Sequence, residues 1–183
     1  MNCNKQIFFT SDPHYGHINI IKFCNRPYEH IHYMNKDLTE RWNSVVSDGD
    51  DVYMLGDFCR RKPYPYLEKL NGNIIWIRGN HDRTKQIKEA KKMGIPVYQR
   101  THFEYGGYRF LLNHKPVLFD TDERSDPHVK NLDGYDYVLC GHVHEKWKVN
   151  QKNINVGVDV WDFTPVNIKD IIKLIKEIEN EKN

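Results

Sequence analysis

Side chains able to bind metal fall in five short clusters: Asp12-Pro13-His14, Gly56-Asp57, Gly79-Asn80-His81-Asp82, His114 and Gly141-His142-Val143-His144. They offer carboxylates, an amide oxygen and imidazoles but no thiolate. That mixture suits Mn, Fe, Zn, Ni or Co and disfavours a structural thiolate zinc site. Two carboxylates, one amide and four imidazoles are too many ligands for a single ion. Two ions about 3.5–4 Å apart, bridged by one carboxylate, would use them all. Taken singly, each cluster has a plainer reading: Asp-x-His as a capped turn, Gly-Asp as a turn, His-x-His as an alternating strand end.

The clusters acquire meaning from the elements before them. Residues 6–10, 51–55 and 73–78 are short β-rich runs, and each ends just ahead of one cluster. Residues 101–105 and 108–113 flank Gly106-Gly107 as a hairpin, with His114 directly after it. A further strand at 135–140 leads into His142 and His144. In an α/β sheet the loops at the carboxyl ends of the strands share one rim, so clusters spread from residue 12 to residue 144 can meet there. Gly56, Gly79 and Gly141 each precede a polar residue, where a sharp turn or a close backbone approach can aim a side chain across the rim.

Helical periods fill the gaps. Residues 18–23 read as a short helix, and Met34, Leu38, Trp42, Val45 and Val46 form one stripe within 33–46. Residues 64–70 and 84–93 are expected helices, the second closed by Gly94 and Pro96. Ile168, Ile171, Ile172, Ile175 and Ile178 mark a last helix over 167–180. Strands alternating with helices predict parallel pairing in the first half. Expected strands at 146–150 and 154–160 make the second half mostly β.

The chain has 183 residues, 28% of them charged and 39% hydrophobic, as expected of one globular domain spanning 1–183. At that size it needs neither disulfide nor structural metal to fold. Twenty-seven basic against 25 acidic residues give no global field to recruit nucleic acid or an anionic membrane. No apolar run has membrane-spanning length and Met1–Lys5 is polar, so the expected location is cytoplasmic. Cys3, Cys24, Cys59 and Cys140 are widely separated and read as small core residues or free thiols.

Taken in order, the five clusters resemble the motif series of the calcineurin-like metallophosphoesterase superfamily, specifically its small stand-alone bacterial and phage members. The resemblance implies an α/β fold in four layers, two mixed β-sheets face to face with helices outside. It implies a dinuclear centre hydrolysing phosphate esters, as a phosphodiesterase or phosphatase. Asp12, His14, Asp57 and His144 would hold one ion, and Asp57 would bridge to a second completed by Asn80, His114 and His142. His81 would face the substrate with Asp82 as its orienting partner. The chemistry is apt: hydroxide bridging two divalent ions is a nucleophile at neutral pH, the ions neutralise phosphoryl oxygens, and a histidine can protonate the leaving oxygen. Manganese is the first expectation for the metal.

Around this core, His17 stands beside the motif as either a phosphate contact or a helix cap, and Asn19 follows it. Arg60 and Arg61, just beyond Asp57, are expected to supply at least one contact to substrate phosphate. Tyr15, Phe58, Trp147 and Trp161 are expected to pack in the core rather than stack on substrate. His30, His32, His102 and His128 are read as surface or structural residues. Asp159 and Asp162 end a strand near the rim, with Asp162 a turn or helix-capping residue. Residues 119–132 lack apolar periodicity and could form a short lid. The substrate expected is a small or nucleotide-like phosphate ester. A nuclease acting on nucleic-acid ends and a non-catalytic metal-binding or interaction protein are the alternatives. Retention of both Asp57 and His81 argues against the non-catalytic one.

Overall fold

The computed structural model describes residues 5–117, 126, 128, 129 and 132–181. Cys3 and most of the expected 119–132 lid lie outside the described residues. Strands β1 (Ile7–Thr10), β2 (Asp51–Met54), β3 (Asn73–Ile77) and β4 (Val97–Tyr98) run parallel in that order, and β10 (Val166–Asn167) pairs antiparallel with β1. The second sheet has the order β5 (Thr101–Tyr105), β6 (Tyr108–Leu112), β7 (Tyr137–Cys140), β9 (Asn153–Asn155), β8 (Val149–Asn150). Its β6, β7 and β9 are parallel, while hairpin partners β5 and β8 are antiparallel. Gly106 and Gly107 both have positive φ, which the tight hairpin turn between β5 and β6 requires.

Alternation along the strands divides the core. Phe9, Leu55 and Ile77 of the first sheet meet Phe110, Leu112, Leu139 and Ile154 of the second. Helix α5 (Ile168–Asn180) adds Ile168, Ile171 and Ile175 to the same cluster. Phe8, Val52, Met54, Ile74 and Trp76 point to the opposite face. There they meet Ile20 of α1 (Ile18–Phe23), Met34, Leu38 and Trp42 of α2 (Ile31–Val45), Leu67 of α3 (Tyr64–Leu67) and Ala90 of α4 (Thr84–Lys92). A sheet covered on both faces explains why β1 to β3 are almost wholly apolar. The outer face of the second sheet carries Leu111, Val138 and Cys140 against Val117 and Leu132. The architecture is the expected one of two mixed sheets with flanking helices.

Element boundaries differ where local polar bonds intervene. The expected strand over 154–160 splits after Asn155, whose side-chain oxygen accepts the Gly157 N–H at 2.8 Å and turns the chain out of the sheet. A single 3-10 turn, Val158–Val160, follows. The expected strand at 146–150 contracts to β8, and the expected helix at 64–70 to α3. Strands β4 and β10, of two residues each, carry no pattern long enough to read. Asp162 sits in a turn at positive φ, but Asn167 caps α5 by accepting the Lys169 N–H. No helix among the described residues is long and apolar enough to cross a membrane.

Candidate metal centre

Each cluster sits where its strand ends, and hydrogen bonds across and within the sheets draw the loops together. His114 Nδ1 lies 2.7 Å from the Leu55 carbonyl, the His142 N–H donates to Asp12 Oδ2 at 2.9 Å, and the Gly141 N–H donates to the His114 carbonyl at 2.9 Å. The first sheet thus contributes Asp12, His14, Asp57 and Asn80, and the second His114, His142 and His144. A Cβ on Gly56 would meet the Gly79 backbone at 2.5 Å and His114 Nδ1 at 2.8 Å. One on Gly79 would overlap Asp57, and one on Gly141 would overlap Ser11 and Asp12. The three glycines are therefore close-approach positions, and at Gly56 a φ of +95° adds a conformational requirement.

Around Asp12 and Asp57 the ligand-capable atoms are spaced for ions rather than for hydrogen bonds. Asp12 Oδ1 is 3.8 Å from His14 Nε2 and 4.0 Å from His144 Nε2. Asp57 Oδ2 lies 3.7 Å from His14 Nε2 and 3.5 Å from His114 Nε2, so it stands between the two groups. These separations fall within twice a metal–ligand bond of about 2.0–2.2 Å. Asn80 Oδ1 is 2.9 Å from His114 Nε2, and the His142 ring centroid is 5.3 Å from that of His114. Asp12 Oδ1 and His14 Nε2 are buried with no hydrogen-bond partner. Leaving two such polar atoms dry and unpaired is costly unless a cation completes them. The residues present fit a metal centre.

The backbone carries the same signature. Asp12, His14, Asp57, His142 and His144 all adopt positive φ, between 51° and 69°. Asp and His tolerate this region better than most residues, yet each such position costs on the order of 1–3 kcal/mol. Five of them converge on one point because the surrounding bonds enforce them.

Electrostatics follow from burial and from charge pairing. Burial alone would raise the Asp57 pKa, but the His114 and His14 imidazoles and the His81 N–H, 2.8 Å from Oδ1, hold it below the carboxylate range. Burial would likewise lower His114 and His144. Asp57 and Asp12 instead push His114 up to about 9, and Asp12 with Asp159 pushes His144 up to about 11. Burial dominates at His14 and His142, taking them down to about 2 and about 4.

Asp82 does not orient the His81 ring. Its carboxylate accepts N–H bonds from Asp57 (3.0 Å), Phe58 (3.1 Å), Gly79 (2.7 Å) and the Trp76 indole (2.9 Å). It is a clamp that fixes the loops after β2 and β3 to each other, and burial raises its pKa. His81 is exposed beside His14, with ring centroids 5.8 Å apart. His17, Arg60 and His81 line one small recess of about 20 Å³ against His14. Burial and then Arg60 lower the His17 pKa. Arg61 points instead into a neighbouring depression with Lys62 and Arg83.

The other aromatics and histidines sort plainly. Tyr15 and Phe58 are buried core residues. Trp161 donates to the Asn155 carbonyl at 2.8 Å beneath Lys148, and Trp147 packs on the outer core of the second sheet. His30 caps α2 and stacks on His32, while His102 and His128 are exposed.

Sequence reasoning assigned no role to Arg26 and placed Asp159 only at a strand end near the rim. Arg26 is 4% exposed; it donates to the Asp12 carbonyl at 2.8 Å and the Pro13 carbonyl at 3.0 Å. It also pairs with both oxygens of Asp159 at 2.7 and 2.8 Å, and Asp159 Oδ2 lies 3.1 Å from His144 Nδ1. That chain holds His144 with Nε2 toward Asp12, the carboxylate–histidine support usual behind metal ligands. The signal available was Asn25-Arg26-Pro27, a polar tripeptide just after a helix. Cys24 lies against His144 and Asp159, within 4.8 Å of both ligand atoms, and Cys24, Cys59 and Cys140 are buried free thiols.

Comparison with known proteins agrees with the geometry. The family model for the Calcineurin-like phosphoesterase superfamily domain matches residues 6–164. The chain belongs to that superfamily. The chain is 37% identical to the uncharacterised protein MJ1445 of Methanocaldococcus jannaschii, over 94% of this chain and 93% of that one. The Gene 66 protein of Mycobacterium phage L5 is 25% identical, with 96% of each chain covered. Among solved structures, the protein of unknown function AQ665 from Aquifex aeolicus superposes with a TM-score of 0.74 at 27% identity, covering 93% of this chain and all of that one. A structure described as a novel archaeal phosphodiesterase shares the fold at TM-score 0.50 and 19% identity, covering 83% of this chain and 82% of that one.

Proposed function

We propose that the protein hydrolyses phosphate esters at a dinuclear centre, with manganese as the first candidate ion. The observation that carries this is the Asp57 carboxylate standing between His14 and His114, at 3.7 and 3.5 Å, beside the unpaired Asp12 Oδ1 and His14 Nε2. Asp12, His14 and His144 would hold one ion, Asn80, His114 and His142 the other, with Asp57 shared. When bound, such a pair lowers the pKa of water to supply a nucleophile at neutral pH and neutralises phosphoryl oxygens. Arg26 and Asp159 keep His144 in the tautomer that presents Nε2. The Asp82 clamp keeps Asp57 and Asn80 in fixed relation. Asp57 Oδ1 accepts the His81 N–H, which sets His81 at the mouth, where its ring can give a proton to the departing ester oxygen as the P–O bond breaks. His17 and Arg60 add positive charge in the recess beside it.

The test is to strip the protein, reload it with Mn and measure hydrolysis of bis-p-nitrophenyl phosphate and p-nitrophenyl phosphate, with His81→Ala alongside. Turnover of either ester that requires metal and falls in the variant supports the reading. Two bound ions with no turnover of either ester would favour a non-catalytic metal protein.

A further inference from the structure

Among the described residues, two spaces of very different size adjoin the metal centre. The recess holding His17, Arg60 and His81 has about 20 Å³, room for about one water. On the other side, Asn80 and His114 form the wall of a cleft of about 330 Å³, within the ligand-pocket range of about 300–1,000 Å³. The cleft has room for a substituent of nucleoside size on the reacting phosphorus, beyond the leaving oxygen that faces His81. The separate depression of about 210 Å³ near Arg61 and Arg83 has no metal-ligating residue in its walls.

The far walls of the cleft are cationic. Arg78, Arg100 and Lys115 line it, against one carboxylate among the described residues, Asp126. Arg78 lines the cleft and is anchored by its Nε, which donates to the Asp82 carbonyl at 3.0 Å. Among the described residues neither Arg78 nor Lys115 has an ion-pair partner. Asp126 is already engaged by Asn113 Nδ2 at 3.0 Å and the His128 N–H at 2.9 Å, and approaches Arg100 only to 3.9 Å. Three cations facing, among the described residues, one carboxylate already engaged by other donors match a second phosphate beside the phosphoryl site, which arginine binds through paired N–H bonds.

We propose that Arg78, Arg100 and Lys115 form a subsite for a second phosphate group, so that the substrate is a phosphate ester phosphorylated at another position, as in a nucleoside bisphosphate derivative. This rests on the phosphoester reading above. The overall charge of the chain gives no hint of such a site, because the cations gather only when β3, β4 and β6 end on one rim.

The test compares the 5′-p-nitrophenyl ester of thymidine 5′-phosphate with the same ester carrying a 3′-phosphate, on the Mn-loaded protein. The 3′-phosphate should raise kcat/KM by roughly 10- to 100-fold, mainly through KM, the scale of one or two charge-assisted hydrogen bonds. In Arg100→Glu and Lys115→Ala that ratio should fall toward one, whereas Lys92→Ala on exposed α4 should keep it. A wild-type ratio near one, or a ratio unmoved by Arg100→Glu, overturns the subsite. Linking the 3′-phosphate to a second nucleoside separates a strand end, which keeps the gain, from a small bisphosphate, which loses it. If neither ester nor bis-p-nitrophenyl phosphate is turned over, the phosphoester reading has failed, and calorimetric binding of thymidine 3′,5′-bisphosphate decides the subsite: it stands if Arg100→Glu weakens binding at least 10-fold and falls if it does not.

Discussion

Asp57 is the residue for which no neighbour can substitute, because one of its oxygens serves both histidine groups while the other holds the His81 backbone. Asp57→Asn keeps the shape and removes the charge. Elemental analysis should find at least one ion lost, with turnover down more than about 100-fold; full occupancy at an unchanged rate would sink the shared-ligand assignment. His81→Ala should keep both ions and slow turnover by roughly 10²–10⁴, most for esters with poor leaving groups. Arg26 and Asp159 act at one remove. Their side chains are 0% and 2% exposed, so breaking the pair by Arg26→Met strands a buried carboxylate and should cost about 3–5 kcal/mol in urea unfolding. Asp159→Asn, milder in stability, should weaken Mn affinity about 10- to 100-fold by loosening His144. Retention of wild-type affinity in Asp159→Asn would remove its supporting role. The five clusters were legible because Asp, His and Gly were crowded at strand ends. This pair was not, because its members are 133 positions apart and nothing in the sequence marks a buried charge.

At the scale of elements, the strands only deliver the ligands; the turns after them decide where ligands point. Long periods such as the α2 and α5 stripes were readable, as was the Gly106-Gly107 hairpin. The role of Asp82 was hidden by its position next to His81, since sequence adjacency says nothing about which way a side chain turns after a tight loop. Its four N–H donors explain why: the loops after β2 and β3 leave backbone groups that only an inward carboxylate satisfies. Gly79→Ala tests the same junction. Its Cβ would press on the Asp57 backbone and carboxylate with no left-handed φ involved, so the damage is overpacking of about 1–3 kcal/mol, or a Tm lowered by roughly 3–10 °C, with loss of metal. Gly49→Ala, whose Cβ meets nothing within 4 Å, should leave both Tm and metal content as they are. Equal effects at the two sites would mean the close approach at Gly79 does not set the centre.

Across the whole molecule, the centre lies on the seam between the sheets, so ions there bind the two halves of the fold and their binding is linked to stability. Without ions the seam relies on protons. His114 and His144 are raised to about 9 and about 11, so the folded metal-free chain keeps two protons that the unfolded chain releases above a pKa of about 6.5. The stability they contribute is complete below that value and is lost as pH rises through about 9 and then about 11. His14 and His142, lowered to about 2 and about 4, act oppositely, because below about 6.5 the unfolded chain takes up protons that the fold refuses. The metal-free protein should therefore be most stable near pH 6.5, with Tm falling on both sides. Ions held by these ligands would replace the protons on His114 and His144 and remove the alkaline loss. Thermal unfolding in chelator and in excess Mn, from about pH 5.5 to about pH 9, should give a Tm difference that widens steadily with pH. A difference that stays constant would mean that metal binding displaces no protons from these histidines, and that the ions sit elsewhere.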